Sequence, residues 1–152
     1  MADTLSVEGR SALMRRIGRF NTAPEVIVRK ALHKRGLRFR LHTKSLPGSP
    51  DLVFPKYLTV LFVHGCFWHR HNCNLASTPK SNSDFWQQKF DQNVRRDRRK
   101  AAQLRRLGLR VIVVWQCKLM RPSHVTERFF DQLSKKITNN KLSIKSRENS
   151  KN

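Results

Sequence analysis

Tyr57-Leu58-Thr59-Val60-Leu61-Phe62-Val63-His64-Gly65-Cys66-Phe67-Trp68-His69-Arg70-His71-Asn72-Cys73 joins a nearly continuous apolar run to a loop crowded with thiols, imidazoles and aromatic rings. The run reads as a strand over residues 57–63, buried on both faces, as in a sheet covered by helices. The loop carries Cys66 and Cys73 with His64, His69 and His71, and thiol and imidazole are the donors zinc prefers.

A second apolar run, Val111-Ile112-Val113-Val114-Trp115, precedes Cys117. If the two runs are neighbouring strands, their ends lie side by side and Cys117 joins Cys66, His71 and Cys73 as a fourth donor. On spacing alone His69 could replace His71. A closed four-donor site would be structural, and the bland alternative is free thiols packed as small hydrophobes. With only 3 cysteines, a disulfide framework is not expected.

Around these runs the remaining elements follow. Thr22-Ala23-Pro24-Glu25 has the hydroxyl, early proline and later glutamate of a helix start, so a helix is expected over residues 23–35, stopped at Gly36. Alternation in Leu37-Arg38-Phe39-Arg40-Leu41 suggests a half-buried strand. Turn chemistry in Ser45-Leu46-Pro47-Gly48-Ser49-Pro50 delivers Asp51 to the short strand Leu52-Val53-Phe54. Residues 74–83 read as a loop, and residues 84–107 as a long helix capped by Ser83 and stopped by Gly108. A strand over 109–115 and a helix from Pro122-Ser123 to about Ile137 complete the domain. A meander of strands, then a helix returning to a buried strand, gives an α/β class with a mixed sheet and helices on both faces. The expected division is an arm over 1–20, a domain over 21–138 and a polar, basic tail over 139–152.

The 32 Lys and Arg against 10 Asp and Glu give a formal charge of +22, which calls for a polyanionic partner. Basic residues interleaved with aromatics favour nucleic acid over a membrane surface. No signal peptide or membrane-length apolar run is present, so a cytoplasmic location is expected. Acids in apolar context are therefore informative. Asp51, at a strand start, could hold magnesium beside a phosphodiester, or simply cap its turn. Asp97 falls in the apolar stripe of Phe90, Val94, Ala101 and Leu104, where a carboxylate must be paired or serve a metal. Glu25 is already accounted for by capping. His64 or His69 could take a proton from attacking water. Phe67, Trp68 and Trp86 are expected to stay exposed for stacking or wedging, and Met14 and Ile17 in the arm either form a second apolar wedge or staple the arm to the domain.

Ser45 to Asp51, His64 to Cys73, Asn93-Val94-Arg95-Arg96-Asp97-Arg98-Arg99 and Trp115-Gln116-Cys117 together resemble the very-short-patch-repair endonuclease family. The resemblance implies a restriction-endonuclease-like fold, a structural zinc, and magnesium-dependent nicking of one DNA strand 5′ to the thymine of a T:G mismatch left by 5-methylcytosine deamination. It implies Asp51 and the Val63 carbonyl as magnesium ligands, His69 as general base, and Glu25, His64 and Asp97 in support. It also implies Cys66, His71, Cys73 and Cys117 as zinc ligands, which selects His71 over His69. Phe67, Trp68 and Trp86 would wedge the major groove, opposed by Met14 and Ile17. A monomer acting in the nucleoid, linked to a cytosine-5 methyltransferase and to repair polymerase and ligase, is the expected setting. Val63 stands where the family has threonine and Gln116 where it has glutamate. The strand after Asp51 lacks the acid-x-lysine pair of most restriction-type nucleases, so imidazole must replace lysine. The alternatives are a zinc-stabilised DNA-binding module without catalysis, and a nuclease that needs no mismatch.

Overall fold

Two helix ends set the register of the sheet. The computed structural model describes residues 6, 8, 9 and 21–140. Met14, Ile17 and residues 141–152 lie outside the described residues. Helix α1 (Ala23–Lys34) closes with Gly36 at φ +85°, its N–H donating to His33 O while Leu37 N–H donates to Leu32 O. This paired closure turns Leu37 back into the core at 3% exposure. The expected strand over 37–41 therefore shrinks to β1 (Arg40–Leu41), because the helix cap has taken its first residue. Helix α2 (Ser83–Arg106) ends the same way around Gly108, with Leu109 N–H on Leu104 O, so β4 (Arg110–Trp115) begins one residue later than expected. Ser83 does not cap α2. Asn82 occupies that position in a left-handed conformation, without a side-chain cap bond.

β2 (Leu52–Phe54) runs antiparallel to both β1 and β3 (Thr59–His64), and β3 runs parallel to β4. The strand order is β1-β2-β3-β4. β3 starts later than expected because Pro55–Tyr57 forms a short 3₁₀ turn, with Leu58 left-handed before the ladder resumes. A parallel neighbour needs a crossover, and α2 supplies it. Alternation along the strands divides the core. Leu52, Phe54, Leu61, Ile112 and Val114 pack with Val28 and Leu32 of α1 and with Phe130, Leu133 and Ile137 of α3 (Ser123–Thr138). Val53 and Val60 face Leu104 of α2. Each such side chain contributes about 1.5–3 kcal/mol on burial, so β3, apolar on both faces, is the spine of the domain. Asn140 is buried, its Nδ2 donating to Tyr57 O at 2.6 Å, so packing extends just past the expected domain end at 138. Among the described residues no helix is long and apolar enough to cross a membrane.

Candidate active site

Asp51 lies where the β2–β3 ladder runs out. The last register pair is Leu52 with Leu61. The Asp51 side chain takes over, Oδ2 accepting the Val63 N–H at 2.7 Å, while its carbonyl accepts the His42 N–H at 3.3 Å. The preceding turn depends on Gly48, at φ +75°, where a Cβ would sit 3.2 Å from Lys100 Cβ and 3.3 Å from Phe62. Burial raises the Asp51 carboxyl to about 6, with the Glu25 charge adding to it and the Val63 hydrogen bond opposing. Glu25 is buried at the start of α1, where it accepts the Asn21 N–H at 3.0 Å and the Thr22 hydroxyl at 3.2 Å. The expected reciprocal cap does not form: Glu25 binds the Asn21 N–H and the Thr22 hydroxyl rather than the Thr22 N–H, and the Thr22 side chain makes no cap bond to the helix backbone.

His69 and Asp97 meet across the crossover, Nδ1 to Oδ2 at 2.5 Å. Burial would raise the Asp97 carboxyl, but the hydrogen bond and charge of His69, aided by His64 and Arg96, hold it below the usual carboxylate range. His64 stacks on His69 with centroids 3.8 Å apart and planes 5° from parallel. Burial, then the neighbouring His69, depress His64 to about 4, so it is neutral at ordinary pH. The core-facing stripe on α2 thus delivers its one carboxylate to an imidazole pair.

One residue further on, the chain serves a different cluster. Arg70 is left-handed at φ 56°, which lets His69 and His71 diverge. Its guanidinium is held by Ser77 O at 3.2 Å and Thr78 Oγ1 at 2.8 Å, and lies 4.1 Å from the Phe90 ring centroid. His71 joins Cys66, Cys73 and Cys117, all donor atoms within 4.8 Å of one another. Cys117 sits on a 3₁₀ turn, Gln116–Met120, beyond β4, and its Sγ lies 3.5 Å from His71 Nδ1. Burial pushes the Cys66 thiol up to about 11, whereas its hydrogen bond with His71 draws Cys73 down to about 7.

The aromatic expectation is corrected. Trp86 is buried at 5%, and Phe67 and Trp68 are half-buried. The reason is helical spacing: Trp86 and Phe90 share one face of α2, and the Phe67 ring packs edge-on against both, at 5.6 and 5.2 Å. The large exposed ring here is Phe85, at 60%.

Asp51, Glu25, His64, His69, Asp97, Trp68 and Lys100 line one cleft of about 1340 Å³. Residues 2–75 match the family model described as DNA mismatch endonuclease Vsr. The chain is 55% identical over 119 residues to the type II nicking enzyme V.XorIIP of Xanthomonas oryzae pv. oryzae, covering 78% of this chain and 88% of the relative. It is 43% identical over 127 residues to the DNA mismatch endonuclease Vsr of Escherichia coli, covering 84% and 81% respectively. A third relative, the type II nicking enzyme V.NmeAIP of Neisseria meningitidis, is 44% identical over 128 residues. This chain belongs to the Vsr DNA mismatch endonuclease family.

Vsr membership implies a restriction-endonuclease-like fold for the mixed sheet. Two residues at or beside this Vsr-family cleft carry no role in the sequence reading. Asn93 is buried, donating to Trp68 O at 3.2 Å and accepting from Arg96 at 3.2 Å, so it fixes the aromatic loop to α2. It lies one turn before Asp97 on the helix, a spacing that could have flagged it. His42 lies 3.6 Å from Glu25 and 4.0 Å from Asp51, and only the β1–β2 approach reveals it.

Proposed function

We propose that this protein is a magnesium-dependent endonuclease that nicks one strand of duplex DNA 5′ to the thymine of a T:G mismatch, initiating very short patch repair of deaminated 5-methylcytosine. The observation that carries the reading is the shared cleft: a half-buried carboxylate, Asp51, lines it together with an imidazole held by a second carboxylate, Asp97. A DNA-binding module without catalysis gains nothing from acids facing a polyanion.

Asp51 suits a hard cation, which takes few protein oxygens and otherwise water and phosphate. The Val63 N–H fixes Oδ2 and leaves Oδ1 to the ion, with the Val63 carbonyl as the backbone ligand. Magnesium bound there would withdraw charge from the scissile phosphate. His69 acts as general base: Asp97 engages Nδ1 and fixes the tautomer, so Nε2 accepts the proton of the attacking water. Neutral His64, stacked on His69, keeps that ring in place without adding a repelling charge. Glu25 orients groups beside Asp51. The product is a nick carrying a 5′-phosphate.

The four-donor set of Cys66, His71, Cys73 and Cys117 fits zinc in number, chemistry and spacing. It would lock the loop to the end of β4 and so fix His69. Phe67 and Trp68, half-buried on Trp86, form a firm platform for wedging at the mismatch, with Met14 and Ile17 of the 1–20 arm opposite. Unstacking costs least at a mismatch, which aids target selection. The protein acts as a monomer in the cytoplasm, its catalytic domain extending to Asn140.

Strand-resolved cleavage of T:G and matched duplexes by the zinc-loaded protein, with magnesium and with EDTA, tests this. A magnesium-dependent nick in the T strand alone is expected. Equal cutting of matched DNA would indicate a nuclease without mismatch selection, and no cutting of either would leave only a binding module.

A further inference from the structure

His42 has no part in the reaction above, yet it packs beside two carboxylates that line the cleft, Glu25 and Asp51. Its backbone is left-handed at φ 46°, an uncommon conformation for a residue with a Cβ, and its N–H donates to Asp51 O. The ring stands between two carboxylates, Nε2 3.6 Å from Glu25 Oε2 and Nδ1 4.0 Å from Asp51 Oδ1. The oxygen it faces on Asp51 is the one that the Val63 N–H leaves open. One donor atom from each of Glu25, His42 and Asp51 falls within a mutual 4.8 Å.

We propose that His42 is a ligand of the nuclease cation, binding through Nδ1 beside Asp51 Oδ1 while the Glu25 carboxylate faces its Nε2, so that the site favours manganese or cobalt over magnesium. The inference rests on the nuclease reading for the presence of a cation at Asp51. A separation of 4.0 Å is too long for a hydrogen bond, but donors about 2 Å from one ion stand about 3–4 Å apart. A carboxylate behind the far nitrogen of a coordinating imidazole is the usual way such a ring is oriented. Glu25 is itself anchored at the helix start by Asn21 and Thr22. Nitrogen donors favour the first-row transition ions, whereas magnesium selects oxygen.

The test uses zinc-loaded protein, so that the thiolate cluster is filled, and manganese as the probe. Electron spin-echo spectroscopy of the wild type should show histidine nitrogen coupled to manganese, and His42→Gln should abolish that coupling. Manganese affinity should fall by about tenfold in His42→Gln, with magnesium affinity by competition changing far less. Glu25→Gln should lower manganese affinity in the same direction. Absence of nitrogen coupling in the wild type, coupling that survives His42→Gln, or parallel loss of both affinities would overturn the assignment. Because these readouts need no DNA, the two readings fail separately. Nitrogen-coupled manganese without nicking removes the nuclease and leaves the ligand, and nicking without nitrogen coupling does the reverse.

Discussion

His69 Nδ1 meets Asp97 Oδ2 at 2.5 Å across 28 residues of sequence, because α2 returns over the sheet with Asp97 on its inward face beside the loop that ends β3. The pair fixes which imidazole nitrogen faces the cleft. Asp97→Asn keeps the shape but allows the wrong tautomer, so nicking should drop by about 10²-fold or more. Binding of a T:G duplex in calcium should be unchanged. Single-turnover nicking against an equilibrium binding curve separates the two, and equal losses in both would argue that Asp97 only holds the fold.

Asp97 also makes a prediction about acid stability. Its folded carboxyl lies below the ordinary value of 3.8, so the unfolded chain binds the proton more readily than the folded one. That stabilisation is fully present above the ordinary value and is lost as pH falls through the folded one. Thermal unfolding from about pH 5 to about pH 3 should therefore show a shallower decline in Asp97→Asn than in the wild type.

Cys117 closes the thiolate cluster from the far strand. Cys117→Ser should lower bound zinc below one ion per chain by elemental analysis, and lower Tm by more than about 4 °C. Chelation of the wild type should reproduce the effect.

Asn93 bridges α2 to the aromatic loop through Trp68 O. Asn93→Ala removes that bond and leaves a part-buried carbonyl short of a donor, costing about 1 kcal/mol in denaturant unfolding. Because Trp68 precedes His69, kcat for nicking should fall further than stability alone explains.

Leu61 is fully buried at the centre of β3. Leu61→Ala should cost about 2–5 kcal/mol, through lost burial and the cavity left behind. An effect under about 1 kcal/mol would mean that β3 is not the spine of the core.

The α/β class, the return of the chain to a buried β4 and the grouping of Cys66, Cys73 and Cys117 with an imidazole were legible in the chain, while the choice of His71 over His69 came from the family resemblance. Apolar runs announce buried strands, and glycines announce helix ends. The stripe on α2 placed Asp97 correctly toward the core. Errors clustered where a cap or a neighbouring element competes for a residue. Leu37 went to the end of α1 rather than to β1, and Tyr57 went to a 3₁₀ turn. Trp86 went inward because Phe67 and Phe90 together offered it more contact than solvent did.

By itself the sequence determined the order of elements, the charge that demands a polyanion, and the residue types able to hold a metal or move a proton. The tertiary structure alone decided which of them meet. Asp51 takes the Val63 N–H where the β2–β3 pairing ends, His69 and His71 part company at a left-handed Arg70, and His42 comes up beside Glu25 and Asp51 through the antiparallel approach of β1 to β2. Such meetings depend on strand register and on the angle of a returning helix, quantities set by packing across the whole core and carried by no single stretch of chain.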